Sequence, residues 1–256
     1  MLRRLFLWSF LALAGLSAIP AQASRVTPMV VEMTPTGRGS LARIEVANTD
    51  GRDVPMEIRM YRGRIAENGE LQLEPAEERF AAFPAQVIIP ANGRQVFRIQ
   101  FIPSGPMTQS EIYYASITQL PVELEETGSR IQMLMRFNVL LNVVPEGTTA
   151  RPEIESVRWV DREVPLPPEA PEGSTPIRQQ GLEVRVVNHG TRYFPAGRIG
   201  WQVNGVDQAG APVAESFAPS VMSERIGMGI VAPGTARVFF LPMERQVRDP
   251  SVTFNR

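Results

Sequence analysis

Very few side chains of this 256-residue sequence could act as a general base or a nucleophile. The chain contains one histidine, His189, and no cysteine. His189 stands in an Asn-His-Gly-Thr segment typical of a turn, and no Gly-x-Ser-x-Gly motif accompanies it. A single histidine without cysteine also excludes the common zinc sites. The sequence therefore favours a structural role for His189, and we expect no catalytic residues and no metal site.

Paired carboxylates are the other candidates for catalysis, because two of them can perform glycoside hydrolysis. Acidic runs occur at Glu77–Glu78 and at Glu123–Glu126, each close to proline or glycine. Solvated turns explain these runs better than an active site does. The chain also lacks a glycine-rich phosphate loop and an EF-hand pattern. We therefore expect neither enzyme activity nor a cofactor, and a hydrolase is the least favoured of three hypotheses.

Arginine carries every side-chain positive charge, because the 26 basic residues include no lysine. The formal net charge is −1 and the basic residues are dispersed, which argues against nucleic acid or an anionic membrane as a partner. A compositional bias is the simplest explanation for the missing lysine. Any task that requires a cation must nevertheless be performed by arginine.

The feature that suggests protein binding is the segment SRIQMLMRFNVLLNVVP, Ser129–Pro145. Its apolar residues recur at every second position, which predicts a strand far longer than the usual length of about five or six residues. The apolar positions are Ile131, Met133, Met135, Phe137, Val139, Leu141 and Val143. We expect the last three to lie in the protein's own core and the first three to be available to another chain, since methionine fills grooves of differing shape. The alternative is that all seven line the protein's own core.

The N-terminus has the features of a secretory signal peptide. Arg3 and Arg4 precede an apolar run from Leu5 to Leu16, and the segment ends with the small-x-small sequence Ala21–Ala23. The apolar run is too short to span a membrane. We therefore predict a signal peptide over residues 1–23, cleaved near Ala23. A retained anchor is the alternative, and no later segment predicts stable membrane insertion.

The rest of the chain predicts an all-β protein with an internal repeat. Alternating apolar segments, turn signals and 23 prolines dominate it. Glu45–Pro55 and Arg185–Pro195 each contain Val-x-Asn followed, seven residues after the asparagine, by proline. Ile88–Phe101 and Gly229–Pro242 each combine an apolar lead-in, a proline or glycine turn and an alternating strand. Two such copies predict two immunoglobulin-like β-sandwich domains in tandem.

We place the N-terminal domain at residues 24–148 and the C-terminal domain at residues 149–256. The boundary lies in the proline-flanked segment Pro145–Pro152. Because this linker is short, we expect a semi-fixed angle between the domains. A proline-rich insertion, Pro165–Pro176, is expected to be a surface loop and is given no chemistry.

Several ordered motifs of the first domain resemble those of the periplasmic pilus-assembly chaperones, the PapD-like partners of outer-membrane ushers. Ser110–Pro121, SEIYYASITQLP, is similar to the family's Ser-x-aromatic-Tyr segment before the donor strand. Phe80–Pro84, Pro90–Ile99 and Ile44–Asn48 are similar to other motifs of the same family. The resemblance covers most of Val26–Pro145 and is weak beyond it.

The resemblance implies two immunoglobulin-like domains in a boomerang arrangement, located in the periplasm. It implies a chaperone that lends a strand to an incomplete pilin-like subunit by donor-strand complementation and hands the subunit to an usher. The resemblance implies no role for ATP or metal. It identifies the chain as a divergent member of the family, and we expect its clients to be pilin-like or spore-coat-like secreted subunits. A bare apolar edge also suggests a self-capped homodimer.

The chain departs from the family at the site that binds the client's C-terminal carboxylate. Family members use an arginine on the first strand and a lysine on the donor strand. The corresponding positions here are Glu32–Thr34 and Leu140, which supply no cation. Arg136 on the donor strand, and Arg38 just after the first strand, are the candidate carboxylate anchors. An ordinary surface role is the alternative for both.

Two binding hypotheses therefore remain. The first is a periplasmic chaperone that uses Ile131, Met133 and Met135 to fill a client's groove. The second is an exported two-domain immunoglobulin-like structural or adhesive protein without chaperone activity. The second predicts that these three side chains are covered by their own chain.

Overall fold

The computed structural model describes residues 24–121, 134–164 and 175–255. The predicted signal peptide, most of the proline-rich insertion, Ile131 and Met133 lie outside the described residues. No helix within the described ranges is both long and apolar enough to cross a membrane.

The first domain is a sandwich of two sheets. Its strands are β1 (Arg25–Thr27), β2 (Val30–Met33), β3 (Leu41–Ala47), β4 (Val54–Ile65), β5 (Leu71–Pro75), β6 (Phe80–Phe83), β7 (Gln86–Ile89), β8 (Arg94–Phe101), β9 (Glu111–Gln119) and β10 (Arg136–Val143). One sheet has the order β1-β3-β8-β6, and the other has the order β2-β10-β9-β4-β5 with β7 also paired to β4. The first segment of the chain thus contributes to both sheets, because β1 joins one and β2 the other.

Period-two alternation decides which side chains form the first core. Along β8, Phe97, Ile99 and Phe101 are buried while the residues between them are exposed. Phe101 packs edge-on against Phe80, and Tyr113 of the opposite sheet completes the aromatic cluster. The strands predicted from the same alternation are therefore confirmed in this domain.

The second domain has its own core and smaller sheets. Its elements are β11 (Pro152–Val164), β12 (Ile177–Asn188), β13 (Phe194–Pro195), β14 (Gly200–Val206), β15 (Pro212–Phe217), α1 (Pro219–Ile226), β16 (Ile230–Val231), β17 (Ala236–Pro242) and β18 (Arg248–Asn255). The sheets have the orders β11-β12-β17, β15-β14-β18 and β13-β16. Trp201 is fully buried between Phe239 and Phe254. The predicted fold class, two immunoglobulin-like β-sandwiches in tandem, is confirmed.

The internal repeat is a repeat of hydrogen bonds as well as of sequence. Asn48 is buried in the turn after β3 and its side-chain amide donates to the carbonyl of Arg52, four residues on, and to that of Ile89. Its Oδ1 accepts the N–H of Asp50. One side chain therefore holds the turn closed and ties it to the end of β7.

Asn188 makes the same set of bonds in the second domain. Its amide donates to the carbonyl of Arg192, again four residues on, and to that of Val231 at the end of β16. Its Oδ1 accepts the N–H of Gly190. The two asparagines are thus equivalent, and the predicted tandem repeat reflects a shared structural device.

We predict that Asn48→Ala and Asn188→Ala each lower the free energy of unfolding by about 2 kcal/mol or more, because each leaves several buried backbone groups without partners. Urea unfolding of the purified protein measures this. Asn68→Ala is the control, because Asn68 is exposed and its side chain accepts a single hydrogen bond. Equal losses in all three variants would contradict the prediction.

Candidate functional site

Strand β10 is paired on one side along its whole length and on the other side along only half of it. Antiparallel β9 pairs with every residue from Arg136 to Val143. Parallel β2 pairs only with Leu140–Val143. No described strand pairs with the outer edge of Arg136–Val139, and we call this segment the open edge.

The hydrogen bonds at its two ends show which backbone groups face outward. Gln119 donates its N–H to the carbonyl of Met135, so the backbone N–H and C=O groups of the odd-numbered residues of β10 point toward β9. Leu140 donates its N–H to the carbonyl of Met29, so the backbone N–H and C=O groups of the even-numbered residues point toward the edge that β2 occupies. Strand alternation then places the N–H and C=O groups of Arg136 and Asn138 on the open edge. They are available to pair with an added strand.

The side chains of β10 follow the predicted division where the structure describes them. Val139, Leu141 and Val143 are fully buried in the first core, which confirms that part of the prediction. Phe137 packs against the same core, and Met135, just before the strand, is half-buried. The availability of Met135, Ile131 and Met133 to a client stays a prediction.

Arg136 and Arg38, the predicted carboxylate anchors, lie toward opposite ends of β10. Arg136 is exposed at the start of the strand, and its Nε donates to Thr118 Oγ1 at 3.2 Å. Arg38 is exposed in the 3₁₀ turn Gly37–Ser40, which follows the end of β2 beside Val143. Seven residues of strand separate these positions, or roughly 23 Å. The structure does not bring the two arginines together.

The face of β10 that carries both polar and apolar residues is buried against the second domain in the second half of the strand. Leu140 and Val144 are each 5% exposed, and they pack with Ile112, Tyr193 and Ile230 in a cluster that both domains supply. β10 therefore has two buried faces in its second half. One faces the first core and the other faces the interdomain contact.

Hydrogen bonds between the two domains hold one side of the interdomain contact. Arg192 donates to both carboxylate oxygens of Glu32 at 2.7 Å, and the Tyr193 hydroxyl donates to Glu32 at 2.9 Å. The Tyr193 N–H donates to the buried Ser110 hydroxyl, and the Ser110 N–H donates to the Thr191 carbonyl. Glu32, predicted to lie where the family carries an arginine, instead joins the two domains.

A second set of contacts lies at the turn between β4 and β5. Arg185 donates to Glu67 at 2.7 Å, and the Val238 N–H donates to the Glu67 carbonyl at 2.8 Å. The hydrogen bond from Arg185 lowers the pKa of the Glu67 carboxyl. The turn thus extends the outer edge of β17. Between the two sets of contacts lies a cleft of about 300 Å³, lined by both domains and by the end of the open edge at Asn138 and Leu140.

The whole chain was compared with known proteins. No protein-family model and no curated protein matches it. Solved structures do match, at low sequence identity. The class 5 fimbriae chaperone CfaA aligns with 91% of this chain and 99% of its own, at 9% identity and a TM-score of 0.52.

Two further matches come from complexes. A chain of the Salmonella enterica SafA pilin–SafB chaperone complex aligns over 93% of this chain and 99% of its own, at 14% identity and a TM-score of 0.50. A chain of a chaperone–tip adhesin complex of CFA/I fimbriae aligns over 91% and 98%, at 11% identity and a TM-score of 0.51. The chain has the fold of the fimbrial chaperones.

Within this chaperone fold, the sequence did not indicate three residues that the structure places in or beside the cleft. They are Arg192, Tyr193 and Arg237. Arg237 carried a usable signal, because it shares an alternating face with Phe239 and Leu241, and both of these are buried. An arginine at an inward position of a strand is uncommon enough to mark a site. Arg192 and Tyr193 carried no such signal, since turn residues are expected to be polar.

We predict that Tyr193→Phe lowers the free energy of unfolding by about 1 kcal/mol at neutral pH, through loss of the hydrogen bond to Glu32. Burial, followed by the bond to Glu32, raises the pKa of the Tyr193 hydroxyl to about 12. A raised pKa means that the contribution is complete below pH 10 and is lost as the pH rises toward 12.

Urea unfolding of the parent and the variant at a series of pH values measures this difference. The gap between them should close between pH 10 and pH 12. Tyr61→Phe is the control, because the Tyr61 hydroxyl makes no hydrogen bond within the described part of the chain, and it should show no such gap. A gap that stays constant to pH 12 would refute the assignment.

Proposed function

We propose that the mature protein is a periplasmic chaperone that binds pilin-like subunits by donor-strand complementation and delivers them to an outer-membrane usher. The observation that supports this proposal best is the open edge of β10. It offers unpaired backbone groups at Arg136 and Asn138, and the half-buried Met135 directly precedes it in the chain. The solved structures that share the fold are fimbrial chaperones, two of them from complexes with a pilin or a tip adhesin.

The mechanism requires no covalent step and no cofactor. An incomplete subunit would add a strand beside Arg136–Val139, and each backbone hydrogen bond formed there would replace one to water. Met135, together with Met133 and Ile131, would enter the subunit's groove and remove its apolar lining from water. The net stabilisation comes mainly from this burial, at about 25 cal/mol per Å² of apolar surface. The chaperone therefore acts stoichiometrically, and we assign it no enzyme activity.

We also propose where the protein acts and which partners it binds. Residues 1–23 form a cleaved signal peptide, and residues 24–148 and 149–256 form the two domains. The clients are pilin-like or spore-coat-like secreted subunits. Without a client, two copies of the protein pair through their open edges and form a self-capped homodimer.

We predict that Met133→Asp with Met135→Asp abolishes capture of small β-rich subunits by the tagged mature protein in periplasmic extract. A carboxylate cannot enter an apolar groove without losing its hydration. The control is Ile88→Asp with Ile102→Asp, because these two side chains are 64% and 46% exposed and lie away from β10. Mass spectrometry of the captured proteins gives the result. Undiminished capture by the Met133 and Met135 variant would favour the exported structural or adhesive protein.

Two substitutions at one position separate backbone pairing from the proposed role of the Arg136 side chain. Arg136→Pro removes an N–H group from the open edge and leaves the bonds of Phe137 and Val139 to β9 intact. Arg136→Ala keeps the N–H and removes only the guanidinium. We predict that the proline variant captures at least about fivefold less subunit, in line with about 1 kcal/mol per hydrogen bond, and that the alanine variant captures normally. Loss of capture in both variants would instead identify the Arg136 side chain as the anchor.

A further inference from the structure

Methionine supplies every sulfur atom of this protein, because the chain has 11 methionines and no cysteine. A thioether is oxidised by peroxides, and its reaction depends on access to solvent. The two cores bury five of the methionines, which are Met33, Met56, Met60, Met222 and Met243. These five are therefore shielded, and a peroxide in solution meets the methionines of the surface first.

Two accessible methionines lie at the two ends of the open edge. Met135 directly precedes Arg136, where the open edge begins, and is half-buried. Met29 is 44% exposed, and its carbonyl accepts the Leu140 N–H at 3.0 Å, where the open edge ends. No other methionine in the described part of the chain is as exposed as Met29. Oxidisable side chains thus flank the backbone groups that we assign to a client.

The position of Met29 couples its polarity to client binding. Met29 lines the cleft together with apolar side chains such as Val30, Leu71 and Leu140. A sulfoxide at Met29 would stay hydrated while the cleft is open, so it would cost the free protein little. A client strand on the open edge would cover the side chain and remove this hydration, which is unfavourable for a polar group without a hydrogen-bond partner. Oxidation would therefore weaken binding without unfolding the protein.

Met228, which also lines the cleft, is better protected than Met29. It is half-buried and packs against the cluster that both domains supply. The Arg198 Nε–H donates to the Met228 Sδ at 3.2 Å. This hydrogen bond engages a lone pair of the sulfur, and a lone pair is what attacks a peroxide. We therefore expect Met228 to be oxidised more slowly than Met29.

We propose that Met29 and Met135 are sites of reversible oxidation to methionine sulfoxide by peroxides, and that their oxidation lowers the affinity of the open edge for a client strand. The thioether sulfur donates an electron pair to one oxygen of hydrogen peroxide, the O–O bond breaks, and the other oxygen leaves as water after proton transfer. The sulfur loses two electrons and gains one oxygen atom. Methionine sulfoxide reductases reverse the change. The effect on binding rests on the proposed function, whereas the oxidation of the two side chains does not.

The first part of the test treats the full mature protein with hydrogen peroxide and follows each methionine by peptide mass spectrometry. We expect Met29 and Met135 to be oxidised at least about tenfold faster than the five core methionines, because only the former are accessible to the peroxide. The midpoint of urea unfolding should stay unchanged at the time when these two are oxidised. Equal rates for Met29, Met135 and the core methionines would overturn the proposed sites.

The second part measures the affinity for a fluorescently labelled octapeptide of alternating valine and threonine by fluorescence anisotropy. The oxidation arms carry Met133→Leu, so that only methionines of the described residues respond, and each variant is compared with itself before and after peroxide. We expect the Kd to rise at least about tenfold on oxidation and to recover with a mixture of the reductases for both sulfoxide epimers. Met29→Leu with Met135→Leu should remove the rise. The control Met107→Leu should retain it, because Met107 is half-buried and lines a different pocket.

The outcomes separate this inference from the proposed function. A Kd that does not change when Met29 and Met135 are oxidised would overturn the inference and leave strand pairing intact. A rise that persists in the Met29→Leu, Met135→Leu variant would also overturn it, because the effect would then come from other side chains. If the untreated parent protein does not bind the peptide, the proposed function fails and the effect on binding fails with it. The mass spectrometric rates still decide the oxidation sites in that case.

Discussion

Strand β10 needs hydrogen-bond partners on both of its edges, and β2 supplies them along only half of one edge. Its neighbour β9, by contrast, pairs on both sides along most of its length. The shortfall arises because the first segment of the chain divides between the sheets, with β1 in one and β2 in the other. The open edge is thus a consequence of topology. A backbone edge left unpaired is a liability for most proteins and becomes useful when another chain fills it.

The second domain acts on that edge in two ways. It buries the outer face of β10 at Leu140 and Val144, which fixes the strand firmly where β2 covers it. It also forms one wall of the cleft that lies at the end of the open edge, and Arg237 is part of that wall. The contacts of Glu32 with Arg192 and Tyr193, and of Glu67 with Arg185, hold the two domains around this cleft. The position of Arg237 relative to β10 therefore depends on contacts close to both, since Glu32 pairs with Asn142 of β10 and Glu67 accepts the N–H of Val238, next to Arg237.

Arginine can supply a positive charge in an apolar cleft even though this chain has no lysine. Arginine retains its proton when partly buried, whereas a lysine in the same position would lose part of its charge. Around Arg237 the structure compensates with a carbonyl, an aromatic face and a glycine that leaves space. Other arginines, such as Arg185 and Arg192, pair with nearby carboxylates.

The local sequence pattern determined the fold class and core positions of this protein, and tertiary contacts determined how its domains meet. Alternation alone predicted the all-β class and the core positions Val139, Leu141 and Val143, because period two assigns the faces of a strand wherever it packs. The repeated Val-x-Asn predicted the tandem domains, since each asparagine forms hydrogen bonds with backbone groups that are close to it in the sequence. The burial of Leu140, the pairing of Glu32 with Arg192 and the position of Arg237 could not be predicted in this way. Each depends on how two domains meet through residues far apart in the sequence, and no local periodicity records that contact.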